Sequence, residues 1–273
     1  MVATPIGHLE DITLRALRIL GSVGLVAAED TRHSAKLLTH YDIRTPTTSL
    51  HEHNEHQKVP SLVARLLSGT SIAFVSDAGT PSVSDPGYRL VTAAIAAGVR
   101  VEAIPGASAV LTALVASGLP MEAFVFTGFA PPKRVARQAW FASLLPERRT
   151  IVFFEAPHRI VAALGDAARV LGDRRVAVGR ELTKMHETWV RGPISDVLAR
   201  LGEPRGEFTV VLEGAAADIS MPSSQVTDQQ ILSEFCRMTE GGAGRRESLA
   251  AVAKLHKMRA RDVFAAVDRA RNS

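Results

Sequence analysis

Short apolar, β-branched runs alternate with amphipathic runs along most of this chain. The segments "GLVAAED", "SIAFVSD", "RVEAIPG", "TIVFFEA", "RRVAVGRE" and "FTVVLEG" read as strands. Between them, "ITLRALRIL", "VPSLVARLLSG", "YRLVTAAIAAG", "ASAVLTALVAS", "HRIVAALGDAARVLG" and "ISDVLARLG" carry helical spacing. This alternation predicts an α/β protein with mostly parallel, buried strands. The opening "MVATPIG" looks like the end of a strand, as though a first strand were shortened at Met1.

The pattern also predicts boundaries. In "ASGLPMEAF", Gly118 and Pro120 stop a helix before a new apolar run, which separates an N-terminal α/β domain, 1–118, from a second, 119–214. The small, polar stretch "AAADISMPSSQVTD" marks a linker over 215–226. Beyond it only helical patterns remain, in "QQILSEFCRM", "ESLAAVAKLHKM" and "ARDVFAAVDRAR", giving a helical tail over 227–273.

Composition narrows the class. The 273 residues are long enough for two domains and a tail, and 46% hydrophobic with 22% charged is the balance of a soluble globular protein. A single cysteine, Cys236, permits no intramolecular disulfide and no cysteine-rich metal site, and it fits a reducing cytoplasm. No apolar run is long enough to span a membrane, and no signal-peptide pattern opens the chain.

The net charge of +4 says little until its distribution is read: from Arg245 to Arg271, eight Lys/Arg stand against three acids. Helices near Leu249–His256 and Asp262–Ala270 would place Leu249, Val252, Leu255, Val263, Phe264 and Val267 on one apolar side. Arg246, Lys254, Lys257, Arg259, Arg261 and Arg269 are left outside, on two helices joined near Met258 in the manner of a helix-turn-helix. A solvated helix face and a nucleic-acid appendage both suit that pattern.

The candidate chemistry sits where the strands end. "ATPIG", "AEDTRHS", "SDAGTPSVSDPG", "IPGASA", "FEAPHR" and "RELTK" are mostly Gly/Pro-directed turns tipped by a small residue or an acid. Ligands in open α/β sheets bind beyond the carboxyl ends of strands, so these loops predict one built site. No GxxxxGK[ST], no strand leading into GxGxxG, no HExxH, no GxSxG and no paired-Cys zinc motif occurs. His51, His53 and His56 in "HEHNEH" match no standard metal spacing and read as a surface or substrate-facing loop, so no metal site is expected. Glu29 and Asp30 suit either a helix cap or a functional role.

Taken together and in order, "VATPIGHLEDIT", "AEDTRHS", "LHEHNE", "VSDAGTPSVSDPGYRLV", "IPGASA", "FFEAPHR" and "RELTKMHE" resemble the small-subunit ribosomal RNA methyltransferases of the tetrapyrrole methylase superfamily. His8 stands where that family usually has Asn, so the "TPIGHL" turn departs from the pattern. The resemblance implies two α/β domains with an S-adenosylmethionine cleft between them, and 2'-O-methylation of a cytidine ribose in the decoding region of 16S rRNA. A homodimer, the small ribosomal subunit as partner, a cytoplasmic location and no membrane are implied with it. Carried onto this sequence, it points to Asp77, Gly79, Thr80, Val83, Ser108, Ala109, Phe154, Glu155, Leu182, Thr209 and Val210 for the donor. Asp85–Gly87 would brace the donor loop and start a helix at Tyr88. Asp30 or Glu181 would accept the hydroxyl proton, while Arg32 and Lys184 hold phosphate or ribose. Arg246, Lys254, Lys257, Arg259 and Arg261 are RNA-binding candidates in the tail. Two other readings stay open: a C-methyltransferase of a tetrapyrrole, and a non-catalytic ribosome-assembly factor that keeps a methylase fold.

Overall fold

The first amphipathic run forms α1 (Leu14–Ser22), capped by Thr13, whose side chain accepts from Ala16 N–H. It leads into β1 (Leu25–Ala28), α2 (Thr31–His40), β2 (Thr47–Ser49), α3 (Glu55–Leu67), β3 (Ile72–Val75), α4 (Tyr88–Ala96) and α5 (Ala109–Ser117). The computed structural model describes residues 1–216, 228–240, 244–256 and 259–271. The chain divides into two compact units, Met1–Ala215 and Ala216–Ser273.

The three strands form a parallel sheet in the order β2-β1-β3. Side chains alternate across it, as the pleat requires. Val26, Ala28, Ala73 and Val75 pack with Ala16 and Leu20 of α1 and Leu38 of α2, whereas Leu25, Ala27 and Phe74 pack with Val59 and Leu62 of α3 and Leu90 of α4. Helices therefore cover both faces, which is why β1 and β3 read as continuous apolar runs, while the edge strand β2, Thr47–Ser49, is polar. Two readings change here. "RVEAIPG" is not a strand: only Ile104 pairs, in a single parallel bridge with Val2, and Thr4 bridges Gly79. The helix expected from Val59 already begins at Glu55, so Pro60 lies inside it, in the second turn, where it supplies no N–H to the His56 carbonyl.

The second sheet comprises β4 (Phe124–Phe129), β5 (Thr150–Glu155), β6 (Arg175–Arg180), β7 (Thr188–Pro193) and β8 (Phe208–Leu212), with α6 (Arg134–Ser143), α7 (Ile160–Leu171) and α8 (Ile194–Arg200) between them. Its order is β4-β5-β8-β6-β7, and only the β4–β5 pairing is parallel. The expectation of mostly parallel strands fails here because β8 returns between β5 and β6, antiparallel to both, and β7 folds straight back on β6. One face packs Phe153, Val178 and Val210 under α6, α7 and α8 through Phe141, Leu164 and Val197. The other packs Val152, Ala177 and Val211 against Val110, Ala113 and Leu114 of α5. Although α5 precedes Gly118, its apolar side belongs to the second sheet. Each large side chain fully withdrawn from water in these layers contributes about 1.5–3 kcal/mol.

In the second unit, α9 (Asp228–Glu240), α10 (Arg245–Leu255) and α11 (Ala260–Arg271) enclose Ile231, Phe235, Val252, Val263 and Val267. Leu249 packs at the edge of this core. Leu255 and Phe264, expected on the apolar side, are instead exposed; Phe264 lies 5.9 Å under the Arg245 guanidinium. Three short helices have too little interior to take every apolar position of their stripes. Most of the expected linker, Lys257 and Met258 lie outside the described residues.

Candidate active site

The loops that follow β1 and β3 are tied to each other. Asp77 Oδ1 accepts from Asp30 N–H at 3.0 Å, and Asp77 N–H donates to Glu29 Oε2 at 3.2 Å. Thr4 and Gly79 exchange backbone hydrogen bonds of 2.9 and 3.0 Å, adding residues 1–6 to the same edge. Gly79 has φ 76°, and a Cβ there would meet Ile6 Cγ2 at 3.2 Å, so the loop needs glycine for both torsion and space. Ser82 and Ser84 also have positive φ, 70° and 66°, without glycine's freedom. Such strain persists only where neighbours over-determine the backbone. Gly87, at φ 118°, ends the loop and caps α4, as the turn at Asp85–Gly87 predicted.

This loop forms one wall of a cavity of about 330 Å³ that opens between the two sheets. Gly79, Thr80, Val83 and Asp85 line it from the first sheet's side. Ser108 and Ala109 at the start of α5, Phe129 after β4, Phe154–Pro157 after β5 and Gly206–Thr209 before β8 complete it. The N-terminus of α5 opens there: Ser108 accepts from Leu111 N–H, and the aligned peptide dipoles favour an anionic group. Glu155 carries the one orphaned carboxylate of the wall. Its Oε1 accepts from Ala156 N–H at 2.8 Å and pairs with Arg159, while its fully buried Oε2 has no partner.

Of the residues expected at the donor, Gly79, Thr80, Val83, Ser108, Ala109, Phe154, Glu155 and Thr209 line this cavity. Asp77, Leu182 and Val210 do not. Asp77 sets the loop, Leu182 packs with Ile6 in the core beside α5, and Val210 points away from the cavity into the core under α7, one pleat on from Thr209. Ile6, Phe129 and Gly206 line the cavity without having been singled out, and Asp85, expected only to brace the loop, lines it too. Asp85 lay within a loop already flagged, but Phe129 and Gly206 carry no local signal.

The four residues expected at the acceptor side form two separate pairs. Asp30 caps α2, accepting from Arg32 N–H at 2.8 Å and from the Arg32 guanidinium at 2.8 and 3.2 Å. Those bonds from Arg32 hold its carboxyl down at about 2. Glu181, at φ 52°, accepts from Glu207 N–H and from Lys184 Nζ, and Lys184 Nζ also reaches Glu207 at 3.0 Å. Burial pushes the Glu181 carboxyl up, but these bonds outweigh it and leave it below the usual range. Burial likewise opposes the charge on Lys184, and the same two carboxylates outweigh it and raise its value. Gly206 fits over this pair because a Cβ there would overlap the Glu181 carboxylate. In the second unit Arg246, Arg259 and Arg261 are exposed, with Arg259 and Arg261 flanking Asp262; Lys254 lies on α10.

Residues 1–198 match the family described as Tetrapyrrole (Corrin/Porphyrin) Methylases. The chain is 44% identical over 267 residues to the ribosomal RNA small subunit methyltransferase I of Synechocystis, covering 97% of this chain and 95% of that protein. With the protein of the same name from Micromonospora olivasterospora it shares 50% over 218 residues, 79% of this chain and 70% of the relative. This chain belongs to the ribosomal RNA small subunit methyltransferase I family. A solved uroporphyrin-III-C-methyltransferase from Thermus thermophilus, 22% identical, superposes with a TM-score of 0.55 over 77% of this chain and 91% of its own, which shows the tetrapyrrole methylase fold. The donor of a methyltransferase in this family is S-adenosylmethionine. The cavity fits that group: Ile6, Val83, Phe129 and Phe154 offer apolar wall for an adenine, Gly79 lets backbone approach, the α5 N-terminus suits a carboxylate, and Glu155 Oε2 awaits a donor hydrogen. Among the described residues no cluster of metal-ligating side chains occurs, and no helix is long and apolar enough to cross a membrane.

Proposed function

We propose that this chain methylates 16S rRNA of the small ribosomal subunit, at the ribose 2'-hydroxyl of a cytidine in the decoding region. The observation that carries the reading is the match to proteins named for small-subunit rRNA methylation across 97% of the chain, with a donor-sized cavity built from the matching loops. Bound S-adenosylmethionine supplies an already electrophilic methyl group, so the protein's work is positioning and proton management. Gly79, Thr80 and Ser108 would cradle it, Phe154 and Val83 would exclude water, and Glu155 would accept a hydrogen bond. Arg32 and Lys184 would contact the RNA at the cavity, and Arg246, Lys254, Lys257, Arg259 and Arg261 of the tail would supply phosphate contacts, which give affinity without base readout. The enzyme would act in the cytoplasm as a homodimer, with exposed apolar residues such as Phe124 and Phe129 in part of the interface.

Incubation with labelled donor and either small subunits or precorrin precursors tests the reading. Label in a cytidine 2'-O-methyl group supports it. Label only in the tetrapyrrole would make the chain a C-methyltransferase, and none in either would favour a binding role in ribosome assembly. Sedimentation at micromolar concentration tests the dimer: a monomer alone would refute it.

A further inference from the structure

Transfer to a hydroxyl needs a group to take its proton, and the two carboxylates that the family pattern brings forward are poorly suited. Asp30 is saturated by Arg32, and Glu181 by Lys184 and Glu207 N–H. A carboxylate neutralised in this way is a weaker base than a free one.

Asp85 stands in the opposite situation. It is half-buried and lines the donor cavity beside Thr80, Val83 and Ser84. The nearest cation in sequence, Arg89, is turned to Glu55 at 3.6 Å, and no ion pair reaches Asp85 among the described residues. What faces Asp85 is the Ser76 hydroxyl at the end of β3, and the carboxylates of Glu29, after β1, and Asp77. Beyond Glu29 lies His51, whose buried Nδ1 has no partner. The strained torsions at Ser82 and Ser84 aim this stretch, and Gly87 N–H, anchored on Glu55 Oε1 at 2.7 Å, pins its far end.

We propose that Asp85 takes the proton of the acceptor hydroxyl during methyl transfer, an assignment that rests on the O-methyltransferase reading above. The hydroxyl oxygen bonds to the methyl carbon as the carbon–sulfur bond breaks, with its electron pair left on sulfur. The O–H bond gives its proton to the Asp85 carboxylate, which passes it to water. The local charges suit this task. Burial first, then Glu29 and Asp77, push the Asp85 carboxyl up to about 6 against the lowering Ser76 hydrogen bond. It is thus anionic at neutral pH yet about a hundredfold more basic than an ordinary aspartate.

Asp85→Asn tests the role. It should keep S-adenosylhomocysteine affinity within about twofold by calorimetry, lower label incorporation into small subunits by about a hundredfold or more, and abolish the acid limb of the rate near pH 6. Two readouts need no turnover. The carboxyl carbon resonance missing from Asp85→Asn should titrate near pH 6 in the native protein. A folded value above the unfolded 3.8 also means that stability falls as pH rises between the two, so Asp85→Asn should melt higher than native protein at pH 8, the gain fading by about pH 4. An undiminished rate in the variant, loss of donor binding along with the rate, or a resonance titrating near 4 overturns the assignment alone. Absence of label from reactions of the native protein overturns the rRNA reading, and the role with it.

Discussion

Glu55 Oε1 accepts a hydrogen bond of 2.7 Å from Gly87 N–H, joining the first residue of α3 to the cap of α4. Glu55 is buried, with Arg89 3.6 Å away as its partner. A carboxylate between two helix N-termini is favoured by both dipoles. The bond also closes the 76–87 loop that walls the cavity.

Glu55→Ala should therefore lower unfolding free energy by about 1–3 kcal/mol, because a buried N–H loses its acceptor. It should also weaken S-adenosylhomocysteine binding. Glu55→Gln keeps an acceptor oxygen and should lose less of both. Urea titration with calorimetry checks this, and equal losses in the two variants would remove the loop-anchoring role.

Gly79 and Ser108 face the cavity from opposite sides. A tryptophan at either should fill the space and abolish measurable S-adenosylhomocysteine binding. Ser108→Trp should leave the melting temperature closer to native than Gly79→Trp, since only Gly79 needs positive φ, at a strain of about 1–3 kcal/mol. Unchanged affinity in both would move the donor elsewhere.

Asp166 on α7 holds the second sheet's helical layer together. Arg137 donates to its Oδ2 at 2.6 and 2.9 Å, and Gln138 and Arg169 donate to its Oδ1. Burial alone would raise this carboxyl, but Gln138 and Arg137 outweigh it and hold it below 3.8. A depressed folded value stabilises the protein above the unfolded value and is lost as pH falls below it, so acid unfolding should begin below about pH 4. Arg137→Ala leaves the buried Oδ2 without its donor while Gln138 and Arg169 still hold Oδ1, and should cost about 1–3 kcal/mol in chemical denaturation. A cost under 1 kcal/mol would mean water reaches the pair.

Replacing Arg246, Arg259 and Arg261 by alanine should weaken binding to small-subunit RNA and flatten its salt dependence by about one log unit per lost phosphate contact. Donor affinity should not move. Filter binding across a salt series decides it: an unaltered slope would make these side chains only a solvated face.

Two strands of the first sheet, β1 and β3, were legible because both their faces are covered, whereas the polar edge strand β2, Thr47–Ser49, was not. Strands such as Leu25–Ala28 must then be apolar throughout, and local composition reports that directly. Gly79 and Gly87 were legible for a similar reason, since a backbone at positive φ demands glycine whatever packs around it. β7 was not, because an edge strand with exposed Thr188 and Arg191 shows no apolar run.

What the amino-acid order determined by itself was therefore the set of turns, the α/β alternation and the separate helical tail, all of them consequences of torsion and periodicity within a few residues. Tertiary structure alone decided that β8 inserts between β5 and β6, that α5 packs on the second sheet, and that Phe129 and Gly206 share a cavity with Gly79. It likewise decided which carboxylates are neutralised, pairing Asp30 with Arg32 and Glu181 with Lys184 while leaving Asp85 facing Glu29 and Asp77. Charge interactions depend on distance and burial, and neither is written in the spacing of residues along the chain.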